Sequence, residues 1–277
     1  MPDSGVDARA ARRRFERAAR TYAAAARLEA EVGARMLQRL DYVKLAPRRV
    51  LDAGSGPPQR ALGKRYRDAD VIAFDFALAM LKMGKKKLFE RNPPKPVCGD
   101  IARLPIAAGA IDLVWSNMAL HWVADPLAAL REFQRVLAVG GLVMFSTLGP
   151  DTLAELRAAA GSERVHRFAD MHDLGDMLVA AGFADPVMDM ERLTVQYASG
   201  AALLADLRAS GQTHAGSARA RGLAGTRFRS ALEERLAEQR ERGGGTLAVS
   251  YEVVYGHAWK AAPKRAADGR SIVQFHE

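Results

Sequence analysis

The sequence predicts an α/β fold in which a mostly parallel sheet of seven strands carries helices on both faces. Three observations predict it. Short apolar runs alternate with helical patterns at the spacing expected of a parallel sheet. The first apolar run continues directly into the glycine turn Gly54-Ser55-Gly56. Polar residues then follow successive strands where each strand ends, which is where open α/β sheets bind their ligands.

The first half of the chain supplies the alternating elements. Apolar residues recur at three- and four-residue intervals over positions 28–40, which predicts a helix. Asp125 and Pro126 have the residue types that begin a helix, and a fifth strand is predicted over residues 142–148. The four earlier strands are predicted to begin at Val50, Val71, Val97 and Ile111.

The second half departs from simple alternation. Helices are predicted over residues 151–160 and 173–181, and a strand over 186–197. A helical pattern over 200–242 ends at three glycines, and a last strand over 249–259 follows. The predicted organisation is a single domain over 11–262, helical cap insertions at 151–170 and 199–244, and flexible tails at 1–10 and 263–277.

Composition limits the classes of protein. Hydrophobic residues make up 49% and charged residues 26% of the 277, as in globular proteins. No apolar run approaches the roughly 20 residues of a membrane-spanning helix, and no secretory signal is expected, so we expect a soluble cytoplasmic protein with no membrane partner. The single cysteine, Cys98, excludes a disulfide framework and a cysteine-rich metal site, and no metal is expected.

The net charge of +9 has two explanations. It fits an acidic partner, and it also fits arginines that are spread over solvated helix faces. No basic run is interleaved with aromatic residues, so a nucleic-acid partner is not expected.

The candidate cofactor site combines the glycine turn with the polar strand ends. Gly54 and Gly56 can adopt positive φ and let the backbone approach a ligand closely. Asp75 lies 23 residues after Asp52, at the end of the second strand, where a carboxylate can accept hydrogen bonds from both hydroxyls of a ribose. Two further strand ends bring polar side chains to the same crevice, those of Asp100, placed to contact an adenine amino group, and Asn117.

The loop after the first strand points to a cofactor without phosphates. Nicotinamide dehydrogenases also place an acid after the second strand, but a third glycine and a helix N-terminus hold their pyrophosphate. Here Pro57 and Pro58 follow the second glycine, and Gln59 stands where the third would be. S-adenosylmethionine is a cofactor without phosphates.

Over residues 11–150 the sequence resembles the class I methyltransferases, whose fold is Rossmann-like. The similar segments are 50–57 for their first motif, 73–75 for the ribose-binding motif, 99–105 for the adenine-binding motif and 111–117 for the fourth strand. The family's third glycine falls at Pro58, a departure that affects the path of the loop. The resemblance implies S-adenosylmethionine as cofactor, bound by Asp52, Gly54, Gly56, Asp75, Phe76, Met80, Asp100, Ile101, Asn117 and Met118.

Nearly the whole chain is similar to the malonyl-acyl-carrier-protein O-methyltransferases of biotin synthesis. The similarity is carried by Arg14–Ala19 with Tyr22 and by residues 116–122, 145–153, 170–176, 185–191 and 251–259. In that family the free carboxyl of a malonyl thioester is methylated. The resemblance implies that substrate, carried on acyl carrier protein or on coenzyme A, and an acidic carrier would be drawn to a basic rim.

The substrate needs orientation more than activation. A carboxylate is already a nucleophile, so no general base is required and no catalytic residue is assigned. Arg157 is the predicted partner of the carboxylate's second oxygen, with a solvated surface arginine as the alternative. Tyr22, His121 and Trp122 are predicted to line the substrate pocket, although His121 and Trp122 fit a core position equally well.

Three other functions compete with this interpretation. A methyltransferase acting on a phenol, amine or lipid would need a base, so substituting His121 would abolish its activity. A methyltransferase-like assembly factor or arginine hydroxylase would not methylate a carboxylate. A nicotinamide oxidoreductase is opposed by Pro57, Pro58 and the missing third glycine.

Overall fold

A seven-stranded sheet forms the centre of the protein, which a computed structural model describes over residues 5–84, 92–217, 219 and 225–262. The strands are β1 (Arg49–Ala53), β2 (Asp70–Asp75), β3 (Lys95–Cys98), β4 (Ile111–Asn117), β5 (Leu137–Leu148), β6 (Ala184–Tyr197) and β7 (Leu247–Trp259). Their order is β3-β2-β1-β4-β5-β7-β6, and β7 runs antiparallel to its neighbours β5 and β6. This confirms the predicted mostly parallel, seven-stranded sheet.

Helices cover both faces of the sheet, because consecutive residues of each strand point to opposite sides. On β1, Val50 packs in a cluster with Met36, and its neighbour Leu51 packs in another cluster with Phe133. The helices are α1 (Ala8–Ala25), α2 (Arg27–Arg39), α3 (Ala61–Arg65), α4 (Leu78–Leu81), α5 (Pro126–Val136), α6 (Ala154–Ala160), α7 (Met171–Ala180), α8 (Gly200–Ala209) and α9 (Thr226–Arg242). The prediction of helices on both faces is confirmed.

The start of α5 follows from its sequence. The Asp125 side chain accepts a hydrogen bond from the backbone N–H of Ala128 at 3.0 Å, and Pro126 occupies the first turn, where no N–H is needed. Leu130 and Phe133 are fully buried on the face of α5 that packs on the sheet.

Three helices extend the core beyond the strands. Leu156 of α6, Leu203 of α8 and Leu236 of α9 pack in the same apolar cluster as Tyr251 of β7. The first predicted cap insertion contains α6, and the second contains α8 and α9. Residues 218 and 220–224 of the second insertion lie outside the described residues.

The helix predicted over residues 200–242 is interrupted. The helix α8 ends at Ala209, and Gly211 then adopts a φ of +77°, which a glycine tolerates. A Cβ at Gly211 would lie 3.0 Å from the Phe15 ring of α1, so the chain leaves the helix at a close contact with α1. This tertiary contact has no periodic signal in the sequence.

The flexible tail predicted over residues 1–10 extends too far along the chain, because residues 6–10 belong to the folded structure. Val6 is buried and bridges to Gly216, and the Asp7 side chain accepts a hydrogen bond from the N–H of Ala10 at 2.9 Å to begin α1. Residues 1–4 and the predicted tail at 263–277 lie outside the described residues. The third strand also ends earlier than predicted, at Cys98 rather than at Asp100.

Within the described part of the chain, the helices are too short or too polar to cross a membrane.

Candidate functional site

A cavity of about 580 Å³ lies at the carboxyl ends of β1, β2 and β4, where the strand order reverses. We call it the cofactor cavity. The helix α1 covers it, because Ala8, Phe15 and Tyr22 line its wall. Nine of the ten predicted cofactor residues line it together: Gly54, Gly56, Asp75, Phe76, Met80, Asp100, Ile101, Asn117 and Met118.

The loop after β1 leaves no backbone N–H for a phosphate over residues 54–58. The N–H groups of Gly54 and Ser55 donate to the carbonyl of Phe74 at 2.8 and 3.0 Å. The N–H of Gly56 donates to a carboxylate oxygen of Asp75 at 2.9 Å, and the two following prolines have no N–H. The loop therefore cannot cradle a pyrophosphate.

Gly54 is required by both space and backbone geometry. Its φ is +78°, and a Cβ there would lie 2.3 Å from the Cβ of Ala119. The loop after β4 thus passes directly over the loop after β1, and only glycine allows this approach.

Asp75 is held from both sides by the backbone. Its Oδ2 accepts the N–H of Gly56, and its Oδ1 accepts the N–H of Ala77 at 2.7 Å. Burial raises the pKa of Asp75 above its ordinary value, and these two hydrogen bonds act in the opposite direction. The carboxylate is fixed at the cavity wall, with further lone pairs for a ligand's hydroxyl groups.

Asp52 does not line the cofactor cavity, unlike its predicted neighbours. It is buried in β1, and this burial, followed by the negative charge of Asp75, raises the pKa of Asp52 to about 7. The sequence placed Asp52 at a strand end, but the cavity begins only at Gly54. Asp52 therefore interacts with Asp75 through its charge and does not itself line the cavity.

The acid predicted to contact adenine lies at the cavity rim. Asp100 is exposed, and its Oδ1 accepts the N–H of Ala102 at 2.9 Å. Ile101 beside it is buried and supplies an apolar wall. Phe76 and Met80 line the cavity from the segment after β2.

Asn117 links three elements at the cavity wall. Its Nδ2 donates to the carbonyl of Glu29 on α2 at 2.9 Å, and its Oδ1 accepts from the Ser146 hydroxyl on β5 at 2.8 Å. Met118 then adopts a φ of +55°, and its N–H donates to the carbonyl of Ser146 at 3.0 Å. The Asn117 amide group is therefore used to shape the cavity.

Tyr22 faces the glycine loop from α1. A Cβ at Gly56 would lie 3.5 Å from its ring. Burial, and then the charges of Glu29, Asp75 and Asp52, raise the pKa of the Tyr22 hydroxyl well above its ordinary value. Tyr22 is therefore a hydrogen-bond donor at neutral pH and not a base.

Sequence reasoning missed several residues of α1. Ala8, Arg12 and Phe15 line the cavity together with Tyr22. Their positions differ by four, three and seven residues, the spacing of a single helix face. That spacing was the available signal, although alanine and arginine weaken it.

Trp122 lines the cofactor cavity, whereas His121 does not. Trp122 packs edge-on against Phe15, with ring centroids 5.1 Å apart. The Nδ1 of His121 lies 3.2 Å from the Thr147 hydroxyl, and burial, followed by the charge of His166, lowers the pKa of His121 to about 3. His121 is thus a neutral side chain next to the cavity wall. Of the two positions that the sequence allowed, its position is closer to that of a core residue than to that of a pocket residue.

Arg157 does not reach the cofactor cavity. Its guanidinium donates to the carbonyls of Thr152 and Pro150 at 3.0 and 3.2 Å. Leu153, with a φ of +56°, turns the chain just before α6, so Arg157 is directed back to its own turn. The prediction that Arg157 binds a carboxylate is not supported by this position.

Glu29 is a buried acid that sequence reasoning missed. One carboxyl oxygen accepts a hydrogen bond from Gln212, and the other, Oε2, has no hydrogen-bond partner among the described residues. Burial raises the pKa of Glu29 to about 7. No group of three His, Cys, Asp or Glu side chains suited to a metal ion occurs in the described part of the chain.

Comparisons with known proteins agree with this geometry. Residues 51–145 match the family described as "Methyltransferase domain". The phosphoethanolamine N-methyltransferase 2 of Haemonchus contortus, solved in complex with S-adenosyl-L-methionine, has the same fold, with a TM-score of 0.53 and 15% identity over 83% of this chain and 53% of that chain.

Relatives at about 50% identity match nearly the whole chain. The malonyl-[acyl-carrier protein] O-methyltransferase of Gallionella capsiferriformans (strain ES-2) is 50% identical over 99% of this chain and 98% of its own length. The protein of the same name from Methylovorus sp. (strain MP688) is 50% identical over 98% and 95%. The chain therefore belongs to the family of malonyl-[acyl-carrier protein] O-methyltransferases.

Proposed function

We propose that this methyltransferase transfers a methyl group from S-adenosylmethionine to the free carboxylate of a malonyl thioester carried on acyl carrier protein. The product is a methyl ester that serves the pimeloyl part of biotin synthesis. Membership of the family over the full chain supports this substrate. The proposed location is the cytoplasm, in keeping with the single, free cysteine.

The residues of the cofactor cavity fit an adenosyl group without phosphates. The Asp75 carboxylate would hold the ribose hydroxyls, and Asp100 and Ile101 would contact the adenine. The absence of a free N–H over residues 54–58 opposes a dinucleotide. When bound, S-adenosylmethionine supplies a methyl group on a positively charged sulfur, which needs no further activation.

One observation at the site carries the choice of a carboxylate as nucleophile. Among the described residues that line the cofactor cavity there is no histidine, lysine or glutamate. Tyr22 keeps its proton at neutral pH. The three carboxylates of the lining, those of Asp75, Asp100 and Asp125, each accept at least one backbone N–H, so none of them is positioned as a dedicated base. A phenol or an amine would need a base to remove its proton, whereas a carboxylate oxygen carries a lone pair and a negative charge already.

The protein's contribution is orientation and exclusion of water. Holding the carboxylate oxygen in line with the carbon–sulfur bond that breaks can supply up to about 7–11 kcal/mol. Phe15, Tyr22 and Trp122 place aromatic rings at the cavity, and they would keep water from the reacting atoms. We also propose that residues 11–262 form one domain, with 151–170 and 199–244 as its cap.

The test is a direct assay. The purified full-length protein is incubated with methyl-labelled S-adenosylmethionine and malonyl-acyl carrier protein, and the carrier is analysed by mass spectrometry. We expect one added methyl group that is removed by an esterase. The proposed substrate is wrong if no ester forms, while cofactor binding, measured by calorimetry, would still identify a methyltransferase with another acceptor.

A further inference from the structure

The outer side of α1 carries a row of arginines. Arg9, Arg13, Arg17 and Arg20 are exposed, and they lie four, four and three residues apart along the helix. This spacing places their side chains on a single helix face. With a rise of about 1.5 Å per residue, the row extends over about 16 Å. We call it the arginine face.

The arginine face has no acidic partners. Among the described residues, no carboxylate lies within salt-bridge distance of any of its four guanidinium groups. The nearby acids are paired elsewhere, since Asp7 binds Arg219 at 2.9 Å and Glu16 binds Arg12 at 3.0 Å. Like charges four residues apart destabilise a helix. The stability of α1 therefore does not explain this row.

The charge of α1 differs from that of the other long helices. It contains six arginines and one glutamate, whereas α9 contains five arginines and four glutamates, and α2 three and two. Two helices that pack against α1 add little charge, because α4 contains no charged residue and α8 contains one aspartate and one arginine. Part of the net charge of +9 is therefore concentrated on α1 and not spread evenly over helix faces.

The helix α1 holds the arginine face in a fixed orientation. Its inner side is buried and includes Phe15, whose ring lines the cofactor cavity. The Arg14 guanidinium donates to the carbonyl of Thr213 at 2.6 Å, and the Thr21 hydroxyl donates to the carbonyl of Ala209 at 2.7 Å. A partner would therefore meet a preformed surface, with little ordering of the backbone to offset its binding.

The arginine face begins at the opening of the cofactor cavity. Arg9 belongs to this face and also lines the cavity. The other exposed charged residues of the lining are Arg12, Arg103, Asp100 and Asp125. The opening is therefore mixed in charge, whereas the exposed charged side chains of α1 are all arginines.

We propose that the arginine face is the docking surface for an acidic face of the acyl carrier protein that delivers the malonyl group. This inference rests on the function proposed above. A carrier holds its acyl group at the end of an arm of limited length, so it has to dock beside the opening of the cavity. Opposite charges on the two surfaces would speed their encounter and fix their orientation.

The experiment reverses two charges at the end of the arginine face that is remote from the cavity. Arg17→Glu/Arg20→Glu alters no residue of the cavity lining, and both positions lie at least about 12 Å along the helix from Arg9. An exposed ion pair is worth up to about fivefold, so we expect KM for malonyl-acyl carrier protein to rise roughly tenfold or more. We expect kcat and the affinity for S-adenosylmethionine to stay at the wild-type values.

Two further measurements separate docking from catalysis. Malonyl-pantetheine presents the same thioester without the carrier, and its KM should be equal in wild type and Arg17→Glu/Arg20→Glu. Binding of the unloaded carrier, measured by fluorescence anisotropy, needs no turnover and should weaken by the same factor as KM rises. In the wild type this binding should also weaken as salt increases, because salt screens exposed charges.

Two double variants control for net charge and for folding. Lys64→Glu/Arg67→Glu makes the same change of charge at exposed positions before β2, at the amino ends of the strands, whereas the cavity lies at their carboxyl ends. It should leave carrier binding unchanged. Arg17→Lys/Arg20→Lys keeps the charge and should keep most of the affinity. Glutamate, lysine and arginine have similar helix propensities, so all the variants should unfold in one thermal transition.

Each other outcome overturns the inference. Unchanged carrier binding in Arg17→Glu/Arg20→Glu would mean that the carrier docks elsewhere. An equal loss in Lys64→Glu/Arg67→Glu would mean that net charge acts and not this face. A higher KM for malonyl-pantetheine would mean that the substitutions disturb the cavity. Binding of phosphatidylglycerol vesicles or duplex DNA, but not of the carrier, would assign the face to another partner.

Failure of the proposed function gives a different result from failure of this inference alone. If the wild type binds S-adenosylmethionine but neither binds the carrier nor methylates either thioester, the proposed function fails, and this inference fails with it. If the wild type methylates malonyl-acyl carrier protein and Arg17→Glu/Arg20→Glu matches it in KM, only the assignment of the arginine face fails.

Discussion

The cofactor cavity and a second cavity, of about 150 Å³, which share Trp122, are built in different ways. The first lies on strand ends and the loops that follow β1, β2 and β4, and its charged wall combines acids such as Asp75 with arginines such as Arg12. The second lies between α6 and α8, and its described lining contains Arg164 and Arg208 but no acid. The cavity at the sheet is therefore mixed in charge, whereas the described lining of the cavity among the later helices is basic.

The largest expected effect is on the acid of the cofactor cavity. Asp75→Asn keeps the shape but removes the charge and one acceptor, and hydrogen bonds to charged groups are worth about 1.5–3 kcal/mol each. With two ribose hydroxyls affected, we expect S-adenosylmethionine to bind roughly 100-fold more weakly by calorimetry. Asp70→Asn, at the other end of β2 and paired with Lys95, is the control. An unchanged dissociation constant would show that Asp75 does not bind the cofactor.

The second prediction concerns the loop that shapes the same cavity. Gly54→Ala combines a φ of +78° with a Cβ 2.3 Å from Ala119, so we expect the free energy of unfolding in denaturant to fall by about 2–4 kcal/mol. Gly140 has a similar φ of +79°, but open space surrounds the position of an added Cβ. Gly140→Ala should therefore lower the free energy of unfolding by only about 1–2 kcal/mol. Equal losses of unfolding free energy in the two variants would show that the close approach of the two loops does not restrict the residue at position 54.

The third prediction tests the buried acid beside Tyr22. Burial raises the pKa of Glu29 from 4.5 to about 7, so the fold favours its protonated form. The corresponding stability is fully present below pH 4.5 and is lost as the pH rises through 7. Relative to Glu29→Gln, the wild type should lose up to about 3 kcal/mol between pH 4.5 and pH 8, measured by denaturant unfolding. Parallel pH curves for the two proteins would contradict this.

The smallest effect is expected next to the boundary of the two cavities. His121 is neutral above pH 3, and general bases contribute about 10²–10⁴-fold, so His121→Gln should reduce kcat by less than about tenfold. The pH dependence of kcat between 6 and 8 should match that of the wild type. A loss of 100-fold or more, with a changed pH profile, would instead indicate an acceptor that must lose a proton.

The difference between the two cavities also explains which site residues could be predicted from the sequence. Gly54, Asp75 and Asn117 follow strands directly, so a local pattern brings them to one edge of the sheet. Arg157 and Arg208 lie on α6 and α8, and no local pattern tells which of them faces a cavity. The structure turns Arg157 to the carbonyls of its own turn and places Arg208 at the second cavity. Glu29 was missed because its burial depends on the distant residue Gln212.

The closed loop over residues 54–58 has a consequence for selectivity among the nucleotides of a cell. ATP, ADP and the nicotinamide cofactors all contain adenosine, and they are distinguished from S-adenosylmethionine by their phosphates. Because Gly54, Ser55 and Gly56 direct their N–H groups into the protein, and the prolines have none, a phosphate there would lose its water without replacement. We therefore expect this loop to disfavour the phosphorylated nucleotides without a moving gate, and we expect the demethylated product, which keeps the adenosine and carries no phosphate, to compete with the cofactor.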